Sequence, residues 1–159
     1  MSWLDATVHW LHLMAAVLWV GGTLVVSLAI HPVLRKVLDE DARAAVYAEA
    51  GKRMIALQWW CWGVLLATGL YKLWGLRTTP EVFLGPFGKI LAVKLTLVAA
   101  MVALSLIHAL AWGPALTGGR LPPAERAALA RRAAFWGKIN GLLMAGIVFC
   151  AALLRYNPW

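Results

Sequence analysis

The sequence predicts an all-α integral membrane protein built as a four-helix bundle, on three observations. Of its 159 residues, 62% are hydrophobic and only 14% charged, against roughly half and a quarter in a soluble domain. Asp, Glu, Lys and Arg are missing from residues 6–34, 54–71, 95–119 and 139–154, and about 20 apolar residues cross the hydrocarbon core as a helix. Ten tryptophans collect mostly near the ends of those stretches, where amphipathic rings anchor at the headgroups. A disordered chain, a collagen-like repeat and an ordinary soluble enzyme domain are excluded. Two cysteines, Cys61 and Cys150, are too few for a disulfide scaffold. In so apolar a chain, the net charge of +8 suits the anionic face of a lipid bilayer, not nucleic acid.

The spans are expected near residues 6–30, 55–75, 88–112 and 133–155. The first lacks the charged face that a soluble core helix needs. It also lacks the basic n-region of a cleavable signal, since Met1 to Asp5 carry an acid and no base, and its apolar run is too long for an h-region. The second and fourth are short, but flanking Lys and Arg can snorkel and extend them. Residues 33–54 mix charge with periodic apolar positions and read as a surface helix. Pro80, Gly85, Pro86 and Gly88 make 76–88 a turn-rich loop. Gly113-Pro114 is expected to end the third helix, and Pro122-Pro123 to open the fourth, where proline is tolerated. No internal repeat is visible in the letters. The whole chain, 1–159, is expected as one four-span domain.

With four spans the termini share a side. That side holds Lys72, Arg77, Lys89, Lys94 and Arg155. The other holds Arg35, Lys36, Arg43, Lys52, Arg53, Arg120, Arg126, Arg131, Arg132 and Lys138. Positive-inside bias then places both termini on the extracytoplasmic side. Trp3, Trp10, Trp74 and Trp159 fall at the outer level, and Trp59, Trp60, Trp62, Trp112 and Trp136 at the inner one. Trp19 alone sits mid-span.

Polar residues inside such helices must find partners, and ionisable ones are functional candidates by default. His9 and His12 are three apart on one face of the first helix, and Trp19 continues that stripe two turns on. His31, against Pro32, is roughly 28 Å further along the helix than His12, so one small site cannot use both. On the third helix Lys94, Val98, Met101, Ser105 and His108 share a face by their spacing. An up-down bundle therefore has an outer polar layer of His9, His12 and Lys94, and an inner one of His31 and His108. Imidazoles from two helices can hold a haem iron. Imidazole with the thioethers of Met14, Met101 or Met144 suits copper instead. The plainer alternatives are histidines bonded to nearby carbonyls, a snorkelling Lys94, and Asn140 as an interhelical hydrogen bond. Cys61 and Cys150 are expected as unpaired thiols.

The run from His12 through Trp19 to Gly22 resembles the first helix of the HemJ/CopD-like superfamily of small bacterial membrane proteins. Lys94-Leu-Thr96 with a later His on the same helix, Gly51-Lys-Arg53 before the second span, and Asn140 early in the fourth are similar to that group too. Asn140 is followed by Gly141-Leu142-Leu143, where HemJ-like members carry an acid and a proline. The resemblance implies a multi-pass protein of the bacterial inner membrane. Its HemJ side implies haem b and protoporphyrinogen oxidation, with His12 and Lys94 in haem or substrate roles. Its CopD side implies copper uptake.

The expectation is thus a b-type haem protein in electron transfer or a protoporphyrinogen-oxidase-like role, with a porphyrin or quinone as small-molecule partner. Cofactor contacts fall on His12, His108, His31, Lys94, Trp19 and Asn140, and metal ligation on His12, His108, His31 and His9. The alternative is a CopD-type copper or haem transport or binding protein without redox turnover. Lipid-facing helices and their glycines leave room for a homodimer.

Overall fold

The computed structural model describes residues 2–156; Trp159 lies outside them. They are almost wholly helical, broken only by short turns, with no strand among the described residues. Two compact units divide the chain, Met1–Thr78 and Thr79–Trp159.

In the first unit, α1 runs Trp3–Val25 and opens on a reciprocal cap. Ser2 Oγ accepts the Asp5 N–H at 3.1 Å, and the Asp5 carboxylate accepts the Ser2 N–H at 2.9 Å, which satisfies two otherwise orphaned donors. A π-helical turn over Val26–Ile30 leads into α2, His31–Val37. Proline explains the turn. Pro32 has no N–H, and its ring would collide with the carbonyl four residues back. The helix widens just before it, and the His31 N–H reaches back to Val26 O. The backbone turns extended at Leu38. Asp39 then caps α3, Glu40–Gly75, by accepting the Ala42 N–H at 2.8 Å.

The second unit is built in the same order. After 3-10 turns at Leu76–Thr78 and Pro80–Phe83, α4 spans Pro86–Ile107. A π-helical turn, His108–Trp112, precedes Pro114, and the Gly113 N–H bonds to His108 O. A short α5, Gly113–Thr117, ends at Gly118, and α6 runs Pro123–Tyr156. Gly119 sits at φ +66, a left-handed turn position that glycine fills without strain. Aligning the halves on Pro32 and Pro114 sets His12 against Lys94, Trp19 against Met101, Trp62 against Met144 and Thr68 against Cys150. The repeat missing from the letters is present in the fold.

Two boundaries differ from expectation for the same reason. Residues 33–54 are not a separate surface helix: 33–37 continue from the first span, and 40–54 are the opening turns of α3. Gly113-Pro114 does not stop the third helical segment, because the π turn carries it through to Thr117. Charge marks where a helix leaves the apolar layer, not where its hydrogen bonds end. At 36 and 34 residues, α3 and α6 are about 54 and 51 Å long, well beyond a hydrocarbon core of about 30 Å.

Within each unit the two long helices pack antiparallel. In the first, Trp19 meets Trp62 edge to face at 5.5 Å, with Ala15, Cys61 and Thr68 buried along the same seam. In the second, Met101, Ser105, Met144 and Cys150 are buried. Elsewhere large apolar side chains face outward, Leu28 and Leu110 among them, 74% and 69% exposed. Exposure on that scale is what a lipid solvent covers. Four helical stretches are long and apolar enough to cross a membrane.

A methyl group at Gly88 would overlap the Phe83 backbone carbonyl, so the turn before α4 closes only around glycine. Gly88→Ala is expected to cost about 1–3 kcal/mol by overpacking. A lowered melting temperature of the detergent-solubilised variant is the outcome; an unchanged one contradicts this account of the turn.

Candidate functional site

The N-terminal half of α1 and the C-terminal end of α3 carry a polar cluster. Tyr71 Oη donates to the Asp5 carboxylate at 3.0 Å. One turn on, Lys72 Nζ lies 2.7 Å from His9 Nδ1. Next along the stripe, His12 Nδ1 lies 2.7 Å from Thr68 Oγ1. The register of α1 on α3 brings these three pairs together.

The bonding fixes the tautomers. Thr68 has a single hydroxyl proton, and its oxygen stands 2.6 Å from Val64 O and 3.3 Å from Leu65 O, both acceptors only. The proton therefore goes to the backbone, and Thr68 receives the Nδ1–H of His12. In a neutral His12 the lone pair is then on Nε2, with the ring oriented from behind by the threonine. His9 is arranged the other way. An ammonium can only donate, so Nδ1 of His9 accepts from Lys72 and its ring proton sits on Nε2. The two imidazoles therefore differ in their partners, a threonine hydroxyl for His12 and an ammonium for His9.

The remaining candidates separate. Trp19 is buried against Trp62, which meets Trp59 at 5.4 Å, so it packs the helix seam. His31 is exposed, its ring stacked on Tyr47 at 5.4 Å, with Tyr47 Oη 3.5 Å from the His31 carbonyl. His108 is exposed too, edge to face with Trp112 at 6.1 Å, where it opens the second π turn. It belongs to the second unit and His31 to the first. Lys94 is half-buried on α4. Asn140 Nδ2 donates to Ser105 Oγ at 3.3 Å, while its Oδ1 is buried with no donor among the described residues. Cys61 and Cys150 are free thiols, both buried.

No group of three or more His, Cys, Asp or Glu is disposed to hold a metal ion among the described residues. Thr68, Tyr71 and Asp5 were missed as site residues. Only the pairing of α1 with α3 reveals them, since each is an ordinary residue in its own stretch.

The family model for CopD, copper resistance protein D, matches residues 48–154. No curated protein and no solved structure matches the chain.

Proposed function

The chain belongs to the copper resistance protein D (CopD) family, and from that premise we propose that it is a membrane protein that binds or passes copper through its helices without redox turnover. The observation that carries the proposal is the family match, which takes in the third span and most of the second and fourth; the first span, with His12, lies before it. The donor chemistry agrees with it. His12, held by Thr68, offers a neutral imidazole, and buried thioethers supply the soft donors that favour Cu(I). Haem b, a porphyrin or quinone partner, and electron transfer draw no support from a family described by copper, so of the two sequence expectations the alternative is the stronger. His31 and His108 then close helix ends beside their π turns.

In this proposal the imidazole of His12 serves as an outer ligand. Copper is the cargo, and the chain's own contribution is to bind, orient and exclude water. Purified protein titrated with Cu(I) against a chromogenic Cu(I) chelator is expected to compete for the ion. Failure to withdraw any copper from the chelator contradicts the proposal.

Orientation is part of it: both termini outside, with the basic ends of α3 and α6 in the cytoplasm. A reporter active only in the cytoplasm should work when inserted at Gly119 and fail at Pro80. The reverse pattern overturns the orientation.

A further inference from the structure

The two units share a plan, and they differ most tellingly at mid-span. Where α1 and α3 set Trp19 edge to face on Trp62, the corresponding residues of α4 and α6 are Met101 and Met144. Their level is fixed from both sides. Asn140 Nδ2 donates to Ser105 Oγ at 3.3 Å one turn towards the π turn. On the other side, a Cβ at Gly146 would stand 3.2 Å from Leu97 Cδ1. Met101 and Met144 therefore come to the same height of the helix contact, and they are only 1% and 2% exposed.

Two features of this layer bear on what it could hold. Asn140 Oδ1, next to it, is buried and accepts no hydrogen bond among the described residues. Native cores rarely leave such a group orphaned, and one that does calls for an explanation. An acceptor pointing at no donor is what a layer built to receive a guest would show. The second feature is charge. α4 has no Asp or Glu and α6 has only Glu125, in its first turn. A divalent ion there would keep its full charge in a medium that opposes it. A monovalent soft ion between neutral thioethers fits.

We propose that Met101 and Met144 form a soft-donor site at mid-span that takes Cu(I), with Asn140 Oδ1 receiving a hydrogen bond from a water carried on the ion. The site rests on the copper function proposed above and names a second stop, distinct from His12. Its counterpart in the first unit is the Trp19–Trp62 pair, where Trp62 Nε1 is likewise buried without a partner among the described residues, but an indole N–H is a donor only and offers a cation no lone pair.

The test uses the full-length protein in detergent, loaded with Cu(I) under reducing conditions. Copper is counted by mass spectrometry and its ligands are read by X-ray absorption at the copper edge. Wild type is expected to show sulfur scatterers. In Met101→Leu/Met144→Leu, which conserves volume and so should fold, that sulfur signal disappears and affinity for this copper falls by about tenfold or more. His12→Ala keeps the sulfur signal. If the leucine variant binds the same copper with the same sulfur shell, or wild-type copper shows nitrogen ligands only, the thioether site is overturned while the copper function stands. If the wild type takes up no Cu(I), both fall together.

Discussion

Thr68→Val should weaken copper binding at His12 by about 10- to 100-fold, the usual consequence of removing the partner that orients a metal-binding imidazole. Valine matches threonine in shape, so the α1–α3 seam keeps its packing and loses only the oxygen that receives the His12 Nδ1–H. That N–H is left without its acceptor at a half-buried position, at a cost of about 1–3 kcal/mol. The tautomer is no longer fixed, and a proton on Nε2 now competes with the metal. Thr68→Ser keeps the acceptor and should restore most of the affinity. Chelator competition on the three proteins reads both effects. Equal affinities for wild type and Thr68→Val would remove His12 from the copper site.

Trp19→Ala should loosen the first unit more than any other single truncation in it. Trp19 is 7% exposed and packs edge to face on Trp62. Deleting a buried indole in a water-soluble core costs about 3–5 kcal/mol. In a bilayer the exposed surface meets lipid instead of water, and the lost packing and the cavity dominate; about 2–4 kcal/mol is the expected loss. Thermal unfolding in detergent measures it. Met101→Leu, at the corresponding position of the second unit, should cost less than about 1.5 kcal/mol, because it conserves volume. Trp19→Phe should leave the copper content unchanged if the indole serves only the helix packing seen against Trp62. Loss of copper in that variant would return Trp19 to the site.

The spans were legible because lipid imposes a single rule on every residue that faces it. Long stretches without Asp, Glu, Lys or Arg answer to that rule, whatever the helices pack against. Helix ends were less legible. Pro32 and Pro114 carry the signature of a helix stop, yet a widened turn before each lets the helix continue. The charged run 40–54 looked like an element of its own because hydropathy changes there while hydrogen bonding does not. The duplication escaped because equivalent positions hold unlike residues: His12 and Lys94, Trp19 and Met101, Thr68 and Cys150. Pairwise letters do not match, and only the shared π turns and seam register expose the plan.

At the site, His12 stood out from the sequence because an imidazole in an apolar helix is costly. Its partner did not stand out. A threonine in a span commonly bonds to the carbonyl of the preceding turn, as Thr68 does to Val64, and only the second helix shows that the same oxygen also receives His12. His9 looked equivalent to His12 by spacing, and it is Lys72 on the other helix that separates the two. Met101 and Met144 were visible as thioethers, but their common height depends on the antiparallel register of α4 and α6.

Metal analysis combined with the visible spectrum of protein purified from copper-supplemented cells bears most directly on what the helices carry. Copper in at least equimolar amount, with no Soret band before or after dithionite, is the predicted outcome. A Soret band confirmed as haem b by the pyridine haemochrome spectrum, in protein that holds no copper, would show that the imidazoles grip a pigment instead.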